Sequence, residues 1–105
     1  MKGEKDMINN FMNKKVIVRG DRSGVFFGTL VAKEGREVKL ENCRRLWYWD
    51  GAASISQLAT DGTIKPQNCK FTVSVKEIVI LDAIEIIVCT DKAAGIIERV
   101  AEWKE

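Results

Sequence analysis

KVIVRGDRSGVFFGTLVAKEGREVKLEN, Lys15 to Asn42, contains three runs rich in β-branched and aromatic residues, each closed by turn residues. Lys15–Gly20 reads as a strand, and Asp21-Arg22-Ser23-Gly24 supplies the turn, since short polar side chains and glycine tolerate a reversing backbone. Val25–Ala32 reads as a second strand, in which Gly28 predicts a bulge or a close backbone approach. After a turn at Glu34-Gly35, Glu37–Asn42 alternates, with Val38 and Leu40 inward and Glu37, Lys39 and Glu41 outward. Period two is the signature of a half-buried strand. The stretch predicts an antiparallel meander.

Downstream, Arg44–Trp49 reads as a fourth strand. Asp50 is placed to N-cap a short helix over Gly51–Thr60, with Ile55, Leu58 and Ala59 as its apolar face and Asp61-Gly62 as its end. Pro66, Gln67 and Asn68 mark a loop. Phe71–Val75, with Phe71, Val73 and Val75 on one face, Glu77–Leu81 and Ile84–Cys89 read as further strands. Thr90 caps a last helix over Asp91–Trp103, striped by Ala94, Ile97, Val100 and Ala101. The expected class is α+β: an antiparallel sheet or partial barrel of six to seven strands, with a short middle helix and a C-terminal helix. Ile84–Cys89 is apolar on both sides, which predicts cover from the last helix on one and from a second subunit on the other. Residues 1–14, polar in character, are expected to form a flexible arm ahead of one β-rich ligand-binding domain over residues 15–105.

Composition narrows the function. At 105 residues, 46% hydrophobic and 30% charged, the chain suits one folded domain and excludes disorder. A domain of this size buries roughly 60–65% of its unfolded surface, which leaves little room for a deep internal pocket. A sizeable ligand is therefore expected in a surface groove or between subunits. The net charge of +2, from 17 basic and 15 acidic residues, is a weak electrostatic footprint for a nucleic-acid binder. No apolar run approaches the roughly 18 residues of a membrane span, and the N-terminus lacks the apolar region of a secretory signal. Three scattered cysteines, Cys43, Cys69 and Cys89, offer neither a disulfide framework nor a metal half-site. Histidine, the commonest general base and metal ligand, does not occur. No carboxylate pairing, phosphate-binding loop or activated nucleophile is legible, so no enzyme, metal or cofactor is expected.

The densest functional candidate is RRLWYWDGAAS, Arg44 to Ser54. On a strand Arg45, Trp47 and Trp49 share one face, and Arg44, Leu46 and Tyr48 the other. Indoles stack on bases at about 1–3 kcal/mol each, and arginine grips phosphate through paired charge-assisted bonds. Arg44, Arg45, Trp47, Tyr48 and Trp49 are thus the expected ligand contacts. The competing reading is that the aromatics are core or interface anchors. Backbone N–H groups of Gly51, Ala52 and Ala53 offer an anion site that Asp50 would contest. Asp21–Gly24 with Arg19 reads as a plain turn or as a small anion nest. Asn68 reads either as a base-edge contact or as a turn residue. Arg99 and Lys104 solvate the outer face of the last helix unless that helix lines a groove, in which case Arg99 joins the site.

RRLWYWDGAASISQLA (Arg44–Ala59), the P-x-NCKF of Pro66–Phe71, the AIEII of Ala83–Ile87 and Trp103 together resemble a family of small phage and prophage proteins labelled as a domain of unknown function. The resemblance runs from about Val16 to Trp103. Such proteins look like the first type of Thoeris anti-defence protein. That resemblance implies tight, non-hydrolytic sequestration of cyclic ADP-ribose isomers or cyclic oligonucleotides, in the cytoplasm of a bacterial host. It also implies a dimer or higher homo-oligomer with ligand between subunits. The first expectation is therefore a sponge for an immune signalling nucleotide. Its rivals are an accessory protein-binding module acting through Ile84–Cys89, and a binder of single-stranded nucleic acid.

Overall fold

The computed structural model describes residues 7–105; residues 1–6 of the expected arm lie outside the described residues. From residue 15 onward, six strands and two helices follow in order: β1 (Lys15–Gly20), β2 (Val25–Glu34), β3 (Glu37–Tyr48), α1 (Ile55–Asp61), β4 (Lys70–Phe71), β5 (Val75–Ile80), β6 (Ala83–Val88) and α2 (Asp91–Arg99), with a 3₁₀ turn at Pro66–Asn68 before β4. All strand pairings are antiparallel. The path runs β4-β3-β2-β1-β6, and β5 joins the same edge of β3 that β4 uses further along. The sheet is an α+β scaffold that does not close into a full barrel.

Curvature comes from the β2–β3 hairpin. Its register shifts between Phe27 and Thr29 and again between Leu30 and Ala32. Such bulges bend a ribbon and increase its twist. Gly28 sits in the first shift, where a Cβ would lie 3.0 Å from the Glu41 carbonyl oxygen and 3.1 Å from Cys43 Cα. The hairpin tip curls far enough that the Ala83 N–H donates to the Arg36 carbonyl at 3.1 Å.

Two apolar clusters fill the two sides of the sheet. One, under the helices, joins Ile17, Phe27, Leu46, Leu58, Phe71 and Ile97; the other, inside the curl, joins Val16, Val18, Phe26, Leu30, Leu40 and Ile80. Each of these side chains is essentially sealed from solvent, so truncating one to alanine would cost about 2–5 kcal/mol.

Several expectations change. β3 is one strand through Cys43, where two were expected; Asn42, with φ of 51°, absorbs the irregularity. Ser54, not Asp50, caps α1, its hydroxyl accepting from the Gln57 N–H at 3.1 Å. Phe71–Val75 is not a strand with a common face: β4 stops at Phe71, which is buried, while Val73 and Val75 are exposed. α2 starts at its expected cap, Thr90, but ends at Arg99, four residues short of Trp103.

Residues 7–14 are packed rather than loose. Ile8, Phe11 and Met12 rest on the inner cluster, and the Asn13 N–H donates to the Leu30 carbonyl at 2.7 Å. Ile86 and Val88 pack against the same inner cluster, while Ile87 packs on the helical side. Ile84 alone on that strand stays notably exposed.

Candidate functional site

β3 sorts the Arg44–Trp49 stretch by alternation, up to its last pair of residues. Arg44 and Leu46 are buried on the helical side, while on the opposite side Arg45 is half-buried and Trp47 is exposed. A register shift between Leu46 and Tyr48 then breaks the period against β4. As a result Trp47 and Tyr48, though adjacent, are both exposed, at 63% and 50%. Trp49 leaves the strand and packs on the cluster beneath the helices, away from the Arg45–Trp47 side where alternation had placed it.

Trp47 meets Trp103. Their ring centroids lie 6.0 Å apart with the planes 13° from parallel, an offset-stacked arrangement. Trp103 is itself 46% exposed and is held by its backbone N–H, which donates to the Phe71 carbonyl at 2.8 Å. Lys70, opposite Tyr48 in the ladder, places its ammonium 5.5 Å from the Trp103 ring centroid, within cation–π range. Trp47, Trp103 and Lys70 thus form an aromatic platform with one cation at its edge, and Tyr48 is exposed beside it in sequence. One side of Trp47 faces Trp103.

Arg44 does not share that platform. It is 5% exposed, and its guanidinium donates to four carbonyls: Thr72 through Nε at 3.0 Å, Ile97 and Val100 through Nη1 at 2.9 Å each, and Phe71 through Nη2 at 3.0 Å. Burial lowers its pKa from the ordinary arginine value, with Glu102 nearby opposing that shift. With these donors spent inside the fold, the expected phosphate grip by Arg44 has no geometry to act through. Arg45 is intermediate: its guanidinium carbon lies 4.5 Å over the Phe26 ring, and Nη1 donates to the Ser23 carbonyl at 2.6 Å.

The other sequence candidates resolve into local structure. Asn68 Nδ2 donates to Asp50 Oδ2 at 3.0 Å, and Asp50 Oδ1 accepts the Gly51 N–H at 2.8 Å. These bonds, Asn68's first, hold the Asp50 carboxyl below the usual carboxylate range. Asn68 is therefore a turn residue here. The expected anion site at Gly51–Ala53 is filled from within, because the Ala53 N–H goes to Gln57 Oε1 at 2.7 Å. The nest at Asp21–Gly24 does form, but Asp82 occupies it: its carboxylate accepts the Arg22 and Ser23 N–H groups at 2.8 and 3.1 Å and the Ser23 hydroxyl at 2.5 Å. Arg99 lies on α2, away from Trp47 in sequence, with its guanidinium drawn back over Gly95.

Lys70 and Trp103 are the platform residues that strand alternation could not reveal. Trp103 fell within the predicted helix and Lys70 in the loop-to-strand passage, so neither had a face assigned. The thiols are poor nucleophiles where buried: desolvation pushes Cys43 and Cys89 up to about 12.

A family model described as a domain of unknown function, DUF6948, matches residues 13–97. The match covers Trp47, Tyr48 and Lys70 and stops short of Trp103. No curated protein matches the chain.

Proposed function

The chain belongs to the DUF6948 family, a domain of unknown function, and from that premise we propose that it is a non-catalytic binding module that captures a flat, phosphorylated ligand on the Trp47–Trp103 platform. One observation carries this reading: a tryptophan 63% exposed at the end of a core strand, held parallel to a second exposed indole. An exposed aromatic surface of this kind is costly in water and suits a base or another planar ring. Lys70 supplies a nearby positive charge, and Arg45 is the arginine of the pair on the same side of β3 as Trp47.

The finer reading follows the resemblance: a phage anti-defence sponge that sequesters a cyclic ADP-ribose isomer or cyclic oligonucleotide in the bacterial host cytoplasm and leaves it unhydrolysed. The absence of histidine supports this, as does the protonated state of Cys43 and Cys89 at neutral pH. Magnitudes constrain the assembly. Stacking on one platform supplies about 1–3 kcal/mol per base, whereas nanomolar capture needs about 12 kcal/mol. Tight sequestration therefore calls for two platforms on one ligand, brought together in a homo-oligomer.

A second reading rests on the exposed row Val75, Val79, Leu81 and Ile84. Among the described residues β5 pairs as a strand with β3 alone and β6 with β1 alone, so this apolar row borders strand edges without a ladder partner, a setting that favours association with another protein.

Calorimetry of the purified chain against cyclic ADP-ribose isomers, cyclic dinucleotides and a short oligonucleotide separates these readings. Binding of a cyclic nucleotide that Trp47→Ala abolishes supports capture; binding that survives this change places the ligand elsewhere. Breakdown products in the recovered ligand would overturn the non-catalytic reading.

A further inference from the structure

A concavity of about 650 Å³ lies between the start of β1, the end of β6 and one side of α2. Its size falls in the range of about 300–1,000 Å³ common for small-molecule sites. None of its lining residues belongs to the Trp47–Trp103 platform. Lys14 and Lys15 line it from the β1 side, Cys89 and Thr90 from the end of β6, and Gly95 and Glu98 from α2. Lys15 Nζ meets Glu98 Oε2 at 2.6 Å, which ties the strand to the helix.

The charged residues lining the cleft balance, Lys14 and Lys15 against Asp91 and Glu98, and Arg99 beside Gly95 adds a further positive charge. Asp91, also lining it, stands in the first turn of α2, where a carboxylate answers the positive end of the helix. Lys15 is matched by Glu98. Lys14 and Arg99 remain, and among the described residues neither has a carboxylate within ion-pair distance. Arg99 comes within reach through Gly95: its Nη1 lies 3.1 Å from where a Gly95 Cβ would stand. A glycine inside a helix lowers helix stability relative to alanine. Here its missing side chain keeps the cleft open and lets a guanidinium lie back along the helix to its rim.

We propose that this cleft is a second ligand site, taking a small molecule that bears a phosphate or carboxylate group, with the oxyanion held by Arg99 and Lys14. The guanidinium fork matches the paired oxygens of either group. The site stands independently of the platform, so either can fail without the other.

Heteronuclear NMR of the whole chain tests it, with pyrophosphate and citrate as separate probes and sodium chloride at equal ionic strength as reference. Saturable shifts at the Lys15, Thr90 and Gly95 amides are expected with at least one probe, and the responding probe identifies the oxyanion class. Arg99→Gln, at an exposed position, is expected to weaken that response at least tenfold. Gly95→Ala is expected to raise Tm while weakening binding, since it strengthens the helix and crowds Arg99. Trp47→Ala is expected to change nothing at these amides. Shifts that sodium chloride reproduces, or that persist unchanged in Arg99→Gln, overturn the proposal, as does the absence of any response.

Discussion

Arg44 Nη1 donates to the Val100 carbonyl at 2.9 Å, just past the end of α2, and the same nitrogen holds Ile97 at 2.9 Å. A helix leaves its last carbonyls without partners, and a cation there also answers the negative end of its dipole. With Nε and Nη2 on Thr72 and Phe71, one side chain fastens α2 to β4 and the segment after it. Arg44→Met is expected to lose about 3 kcal/mol or more, because four carbonyls lose a charged donor and some are left unsatisfied. Arg44→Lys is expected to recover little, since an ammonium lacks the planar fork. Urea unfolding monitored by circular dichroism reads both.

Trp47 and Trp49 are expected to part company on mutation. Trp47→Ala removes an indole that is mostly in solvent, so stability is expected to move by no more than about 1 kcal/mol. Trp49→Ala empties a position against Leu46, Leu58 and Phe71's cluster and is expected to cost about 2–4 kcal/mol. A near-ultraviolet exciton signal from the Trp47–Trp103 stack is expected in the parent protein and in Trp49→Phe, and to vanish in Trp47→Ala and Trp103→Ala alike.

Asp82 gives the fold a pH dependence of definite sign. The Ser23 hydroxyl and the Arg22 N–H hold its carboxyl below the usual carboxylate range. A depressed folded value means that the contribution is complete above the unfolded carboxylate value of about 3.9 and fades as pH falls through the folded one. Asp82→Asn is therefore expected to be less stable than the parent at pH 7, with the gap narrowing steadily below pH 4. Thermal melts from pH 7 to pH 2 check this. A constant gap across that range would separate the turn from this titration.

Thiol chemistry is expected to single out Cys69. Cys43 and Cys89 are buried and pushed up to about 12 by desolvation, so at pH 8 they remain protonated and shielded. Cys69 is partly exposed. Ellman's reagent is expected to release one fast equivalent from the folded chain and three after denaturation, with Cys69→Ser removing the fast one.

Much of the fold was legible because period-two patterning survives wherever one side of a strand is buried. Val38 and Leu40 alternate with Lys39 as expected, Gly28 marks a real bulge, and Thr90 and Gly62 flank helices where their chemistry suggested. Alternation failed at the ends of elements. The ladder slips between Leu46 and Tyr48, and Trp49 leaves the strand altogether, and neither event has a residue-level signal in RRLWYWD. Arg44 misled for a different reason. A guanidinium that satisfies four backbone carbonyls looks, in sequence, identical to one awaiting phosphate, since the acceptors come from Phe71, Thr72, Ile97 and Val100, far along the chain. Asp50 was similarly read apart from Asn68, a partner that only the folded chain brings near.

The sharpest check on capture by the indole pair is a calorimetric titration of cyclic ADP-ribose isomers into the parent chain and Trp47→Ala side by side, with the ligand recovered afterwards by heat denaturation. Saturable binding to the parent, at least a hundredfold loss in the variant and recovery of unaltered ligand are expected. Equal affinity in the two proteins, or no heat from either with any planar phosphorylated ligand, would contradict the assignment.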